Sequence, residues 1–156
     1  MVQINRILCP TDFSELADHA IEYACSLAVA FKSELHVLHV VDESYQYWMA
    51  MGPNSLPLGP TPEEILVGAR EQMERTKRDR FSKVSVPVTV EVLVGRPFLE
   101  IIRYARDKKM DLIVIGTHGR SGLTHVLLGS VTEKIVRKSH CPVLTVRAPG
   151  HKFEMP

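Results

Sequence analysis

Between Gly116 and Thr132 the chain gathers the residues best suited to holding an anion: Gly116, Gly119, Gly122 and Gly129, with Ser121, Ser130 and Thr132 among them. Glycine has no Cβ, so neighbouring backbone N–H groups can turn toward a ligand at close range. An amphipathic run, Val131 to Lys138, follows and reads as a helix. Its first N–H groups and positive dipole end would aim at the same point. Phosphate is the anion such a cradle suits. Ser130-Val-Thr-Glu133 has capping-box spacing and places the start of that helix. The loop is neither a Walker-type loop nor a dinucleotide fingerprint. No Gly-Lys-Ser/Thr follows a glycine loop, and no G-x-G-x-x-G follows the first strand.

A cradle needs elements to hold it. Asp111-Leu-Ile-Val-Ile115 is an apolar run leading into Gly116 and predicts a buried strand. Upstream, Ile4 to Cys9 predicts strand one, followed by the turn Pro10-Thr11-Asp12-Phe13 and an N-cap at Ser14. Helix one runs to about Phe31 with Leu16, Ala20, Ala24, Leu27 and Phe31 on one face. Strand two is Glu34 to Val41. Thr61-Pro62-Glu-Glu64 combines a cap, a proline at the first helical position and a capping-box acid, opening a helix to about Phe81. Strand three is Val88 to Val94, and Gly95-Arg-Pro97 leads into helix three. Strand five is Val143 to Arg147, and the tail from Ala148 is expected to fray.

Strands alternate with helices, and most strands are apolar on both faces, as in a parallel sheet covered on both sides. Right-handed crossovers leave few windings. The expectation is an α/β fold, a doubly wound five-stranded parallel sheet in the order 3-2-1-4-5, forming one domain over residues 1–147 with a flexible tail at 148–156. Ligands in such sheets bind beyond the strand carboxyl ends where the winding reverses. Here that point lies between strands one and four. The acidic turn Pro10-Thr11-Asp12 and the loop Gly116-Thr117-His118-Gly119 would then face one crevice.

Composition narrows the function classes. The 156 residues are 45% hydrophobic and 24% charged, with a net charge of +1, which argues for neither nucleic acid nor an acidic membrane surface as partner. The densest basic group, Arg75 to Arg80, is interrupted by Asp79 and fits a solvated helix face. No apolar run approaches the roughly 20 residues of a membrane span. The N-terminus has no signal-peptide layout, so a cytoplasmic location is expected. Three cysteines without Cys-x-x-Cys spacing suggest reduced, mostly buried thiols. His36 and His39 lie three apart on a strand, so they face opposite ways and form no joint site. The long segment from Asp42 to Pro60 holds Trp48 and several prolines. It is either a flap on the domain surface or a lid beside the site.

Four stretches together resemble the universal stress protein family in its ATP-binding branch: Pro10-Thr11-Asp12-Phe13-Ser14, His39-Val40-Val41-Asp42, Gly116-Thr117-His118-Gly119 with Gly129-Ser130-Val131-Thr132 nine residues on, and Cys141-Pro142-Val143. The likeness extends from about Ile4 to Arg147. Branches that do not bind ATP tend to lack this glycine spacing. The resemblance implies that Asp12, with Pro10 and Thr11, lies at the adenosine end, and that the Val40 backbone meets the adenine edge. It implies Gly116 beside the ribose, and Gly119, Gly129 and Ser130 as the phosphate cradle, flanked by Val131 and Thr132. Thr117 and Arg120 belong to the same loop, with Arg120 and His118 in reach of phosphate or of solvent. Mg2+ or Mn2+ would come with the nucleotide through phosphate oxygens, since no residues here have dedicated metal-ligand spacing.

The function implied is an ATP-binding regulatory module acting on a downstream protein. The alternative is a slow ATPase or autophosphorylating enzyme using the same cleft. Phosphoryl transfer needs positioned charge and an oriented nucleophile. The loop has no lysine, and no second carboxylate accompanies Asp12 in its motif. Strand five, Val143-Leu-Thr-Val-Arg147, would be an apolar edge and so invites a homodimer. The resemblance points to the same strand.

Overall fold

The computed structural model describes residues 1–44, 59–118 and 128–150. Within them the order is β1 (Arg6–Pro10), α1 (Glu15–Phe31), β2 (Glu34–Asp42), α2 (Pro62–Phe81), β3 (Val88–Gly95), α3 (Pro97–Asp107), β4 (Leu112–Gly116), α4 (Ser130–Lys138) and β5 (Val143–Val146). The five strands form one sheet in the order β3-β2-β1-β4-β5, with every neighbouring pair parallel. This is the doubly wound topology expected from the alternation of elements.

Burial explains why β1 is central. Ile7, Leu8 and Cys9 have no exposed surface, and their side chains alternate between two cores. Ile7 and Cys9 pack with Ala20, Ile21 and Ala24 of α1 and Met73 and Phe81 of α2. Leu8 packs on the opposite face with Ile101 and Ala105 of α3 and Ile135 of α4. Fully burying one such aliphatic side chain contributes about 1.5–3 kcal/mol, so a polar residue at any of these positions would be costly. Small residues line the inner face of α1, where Ala17, Ala20, Ala24 and Ala28 are buried and let the helix lie close to the sheet.

The helix starts are set by side chains. The Ser14 hydroxyl accepts from Ala17 N at 3.2 Å, and Thr61 and Glu64 form the reciprocal capping box that the sequence predicts. The strand limits shift slightly from expectation: β1 reaches Pro10, β4 reaches Gly116, and β5 stops at Val146. Gly95 closes β3 at φ 154°, where an added Cβ would lie 2.7 Å from Cγ of Glu100. Glycine there lets the first turn of α3 fold back against the strand end.

The capping box expected at Ser130 does not form. Gly129 is the N-cap of α4, without a side-chain bond, and Ser130 is the first helical residue. The cause is a backbone tie: Gly129 N donates to Thr117 O at 2.7 Å, which fixes Gly129 in an extended conformation (φ −63°, ψ 155°) and starts the helix one residue earlier. His36 and His39 do face opposite ways. His36 is buried, with Nδ1 2.9 Å from the Tyr104 hydroxyl and Nε2 3.0 Å from Glu34 Oε1, close but not aligned for a hydrogen bond. Burial lowers its pKa, with the Glu34 carboxylate opposing.

Candidate functional site

Beyond the carboxyl ends of β1 and β4 lies a cavity of about 410 Å³. Pro10, Thr11 and Asp12 line it from the end of β1, and Val40 from the end of β2. Gly116 contributes from the end of β4, and Gly129, Ser130, Val131 and Thr132 from the start of α4. Residues separated by roughly a hundred positions thus share one wall, at the point where the winding reverses. Thr117 is buried and is not part of the cavity wall; its hydroxyl meets His118 Nδ1 at 3.1 Å. Gly119 and Arg120 lie outside the described residues, as do Trp48 and residues 45–58 generally.

The α4 end of the cavity suits an anion. Glu133 N reaches back to Gly129 O at 2.9 Å and closes the first turn. The N–H groups of Ser130, Val131 and Thr132 precede it and have no acceptor within the helix. The dipole of the helix adds partial positive charge at the same place. The Thr132 hydroxyl is buried and donates to Gly116 O at 2.9 Å, so an anion would meet Thr132 through its N–H. That bond also ties the start of α4 to the end of β4. Because Ser130 is not the cap, its hydroxyl is not used in capping.

The opposite end carries carboxylates. Asp12 Oδ1 accepts from Ser14 N at 3.0 Å and from the Ser14 hydroxyl at 2.5 Å. Asp12 therefore shapes the turn, while Ser14 performs the capping. Phe13 sits at φ 63°, a left-handed conformation that costs a non-glycine residue about 1–2 kcal/mol. The turn is held by Thr11 Oγ1, which accepts from Phe13 N at 3.0 Å. Asp42 joins Asp12 in the wall. The lining also includes the apolar side chains of Leu38, Val40, Ile101 and Ile115. A ligand with hydrogen-bond donors at one end, a flat apolar body and an anion at the other matches this arrangement.

Sequence reasoning missed Pro97, Ile101 and His39 as wall residues. Pro97 opens α3 just past the end of β3, so the rule that ligands bind at strand carboxyl ends could have found it. No group of three or more His, Cys, Asp or Glu among the described residues is placed to hold a metal. Cys9 is fully buried, and desolvation raises its thiol pKa, which disfavours the reactive thiolate. No helix among the described residues is long and apolar enough to cross a membrane.

The sequence pattern of the Universal stress protein family matches residues 3–147. The chain belongs to that family. It is 37% identical over 146 residues to universal stress protein MJ0531 of Methanocaldococcus jannaschii, covering 93% of this chain and 83% of the relative. It is 33% identical over 157 residues to MJ0577 of the same organism, covering 94% of this chain and 96% of that protein. The solved structure of MJ0577 superposes with a TM-score of 0.76 at 36% identity, covering 96% of this chain and 99% of that one. A universal stress protein solved in complex with cAMP superposes with a TM-score of 0.62 at 25% identity, over 93% of this chain and 98% of its own.

Proposed function

We propose that this protein binds ATP in the cavity between β1 and β4 and acts as a nucleotide-dependent regulatory module. The observation that carries the reading is the bipolar cavity. The start of α4 offers backbone N–H groups beside Gly129, the turn after β1 offers Asp12, and Leu38, Val40, Ile101 and Ile115 add apolar wall. The phosphates would lie at the first turn of α4, with Gly119 and Arg120 contributing from the loop. The adenosine would lie toward Asp12 and Val40. The relative solved with cAMP supports an adenine nucleotide as ligand. Any divalent metal would be held mainly through phosphate oxygens. Among the described lining residues Asp12 and Asp42 are the carboxylates, and there is no lysine or arginine. We further propose a homodimer through β5 and a downstream protein that distinguishes the nucleotide-bound state.

ATP should stabilise the folded protein in proportion to the logarithm of its concentration. At one hundred times its dissociation constant the gain is about 2.7 kcal/mol. For a chain of this size that is a rise in melting temperature of about 5–10 °C. Thermal unfolding and titration calorimetry in millimolar ATP would measure it. The absence of both a shift and a binding heat would defeat the proposal.

A further inference from the structure

We propose that His39 is the positioning residue of this cavity: its imidazole holds the Thr11–Asp12 peptide in the orientation that presents Asp12 to the nucleoside end of the ligand. The inference rests on the nucleotide-binding reading above and assigns a role to a side chain that reading does not use.

The geometry carries it. His39 Nδ1 lies 2.8 Å from Thr11 O. A carbonyl oxygen only accepts, so Nδ1 carries the proton and donates. Thr11 N in turn donates to Leu38 O at 2.9 Å. The end of β2 therefore grips both polar backbone groups of Thr11, the N–H by main chain and the carbonyl by the His39 side chain. The next peptide group belongs to Asp12. The His39 ring also lies against Phe13, with centroids 4.4 Å apart and planes at 36°. Phe13 is the residue in the left-handed conformation, so its ring contact helps to hold the turn in a shape it would otherwise leave. Thr11, Asp12, His39 and Val40 all line the cavity. One imidazole thus couples the adenine-side strand end to the carboxylate.

Protonation separates this role from direct ligand contact. The Nδ1–H is present in the neutral tautomer and in the imidazolium alike, so the clamp survives titration. A His39 that met a phosphate as a cation would lose affinity as it deprotonated. Asp12, Asp42 and His118 share the cavity wall with it, and ATP itself titrates, so the comparison must be between variants at each pH.

Asparagine places an N–H near the position of Nδ1, and alanine places nothing there. Calorimetric titration with ATP should show His39→Ala weakened at least ~10-fold and His39→Asn within ~3-fold of wild type. The ratio of the His39→Asn to wild-type constants should stay flat between about pH 6 and pH 8. Equal binding by His39→Ala would overturn the proposal. So would an asparagine variant as weak as alanine, or a ratio that rises toward low pH, since either would make the ring a ligand contact. A readout without ligand decides the clamp separately: amide hydrogen exchange at Phe13 and Ser14 should accelerate in His39→Ala and remain slow in His39→Asn. Unchanged exchange in His39→Ala would overturn the clamp whatever the nucleotide result. Failure of the wild type to bind ATP would defeat the nucleotide reading and the proposed effect on binding together.

Discussion

Replacing Gly129 with valine is expected to abolish ATP binding while leaving the protein folded. Gly129 lines the cavity at the first turn of α4, so a branched side chain grown there competes with phosphate for the same volume. Overpacking of a fitted space costs typically 1–3 kcal/mol, and loss of phosphate approach adds to it, so affinity should fall roughly 100-fold or more. The backbone tolerates the change. At φ −63° and ψ 155° Gly129 is in a region that valine occupies readily, and its N–H bond to Thr117 O involves no side chain. Valine is a poorer N-cap than glycine, a penalty of about 1 kcal/mol at most. Circular dichroism should therefore show a folded variant, and calorimetry no heat with ATP. Loss of folding would make Gly129 a structural glycine. Retained affinity would move the phosphate site elsewhere.

Thr145→Pro is expected to convert a dimer to a monomer without unfolding the chain. β5 is an edge of the sheet, paired only with β4 among the described strands. The Pro142 and Val146 carbonyls accept from Ile113 N and Thr117 N. In a parallel ladder the intervening residues then turn their N–H and C=O outward, so Val143 and Thr145 face the open edge. Tyr23 and Leu144 are exposed, and both line a surface hollow that runs along this edge. A two-fold axis there would set two copies of β5 antiparallel and bury that surface twice. Proline at position 145 removes an outward donor and no bond to β4. Light scattering at tens of micromolar should give about twice the 17.5 kDa chain mass for wild type and the chain mass for the variant. A monomeric wild type would refute the dimer, and a dimeric variant would place the interface elsewhere.

The sheet order was legible because two periodicities alternate cleanly and handed crossovers leave little choice. The crevice followed from that order, since β1 and β4 sit where the winding reverses. Local hydrogen bonds that span long sequence distances were not legible. Ser130 has the composition of a cap, yet the bond from Gly129 to Thr117 decides the helix start. Thr132 reads as a ligand residue, yet its hydroxyl is committed to Gly116 O. Strand alternation predicts that His39 turns away from His36 and forms no joint site with it. It does turn away, toward the face where Phe13 packs, but the turn after β1 curls over that face and brings Thr11 to meet it. Alternation describes a strand and says nothing of the loop from its neighbour.

The pairing of β1 with β4 also bears on the order in which the molecule assembles. Asp111 Oδ2 accepts from Arg6 N at 2.9 Å across 105 residues of chain, whereas β1 meets β2 through one helix. Closing the longer loop, roughly four times the length, adds only about 1 kcal/mol to the equilibrium cost. Kinetically, distant pairing is slow. The two walls of the cavity come together only when that closure is made, so the half of the sheet built from β1, β2 and β3 has no complete site to offer. A ligand that needs both walls cannot favour a transition state in which β4 is still undocked. ATP should therefore slow unfolding and leave the refolding rate nearly unchanged. Faster refolding with ATP in stopped-flow measurements would mean that β4 docks before the barrier rather than after it.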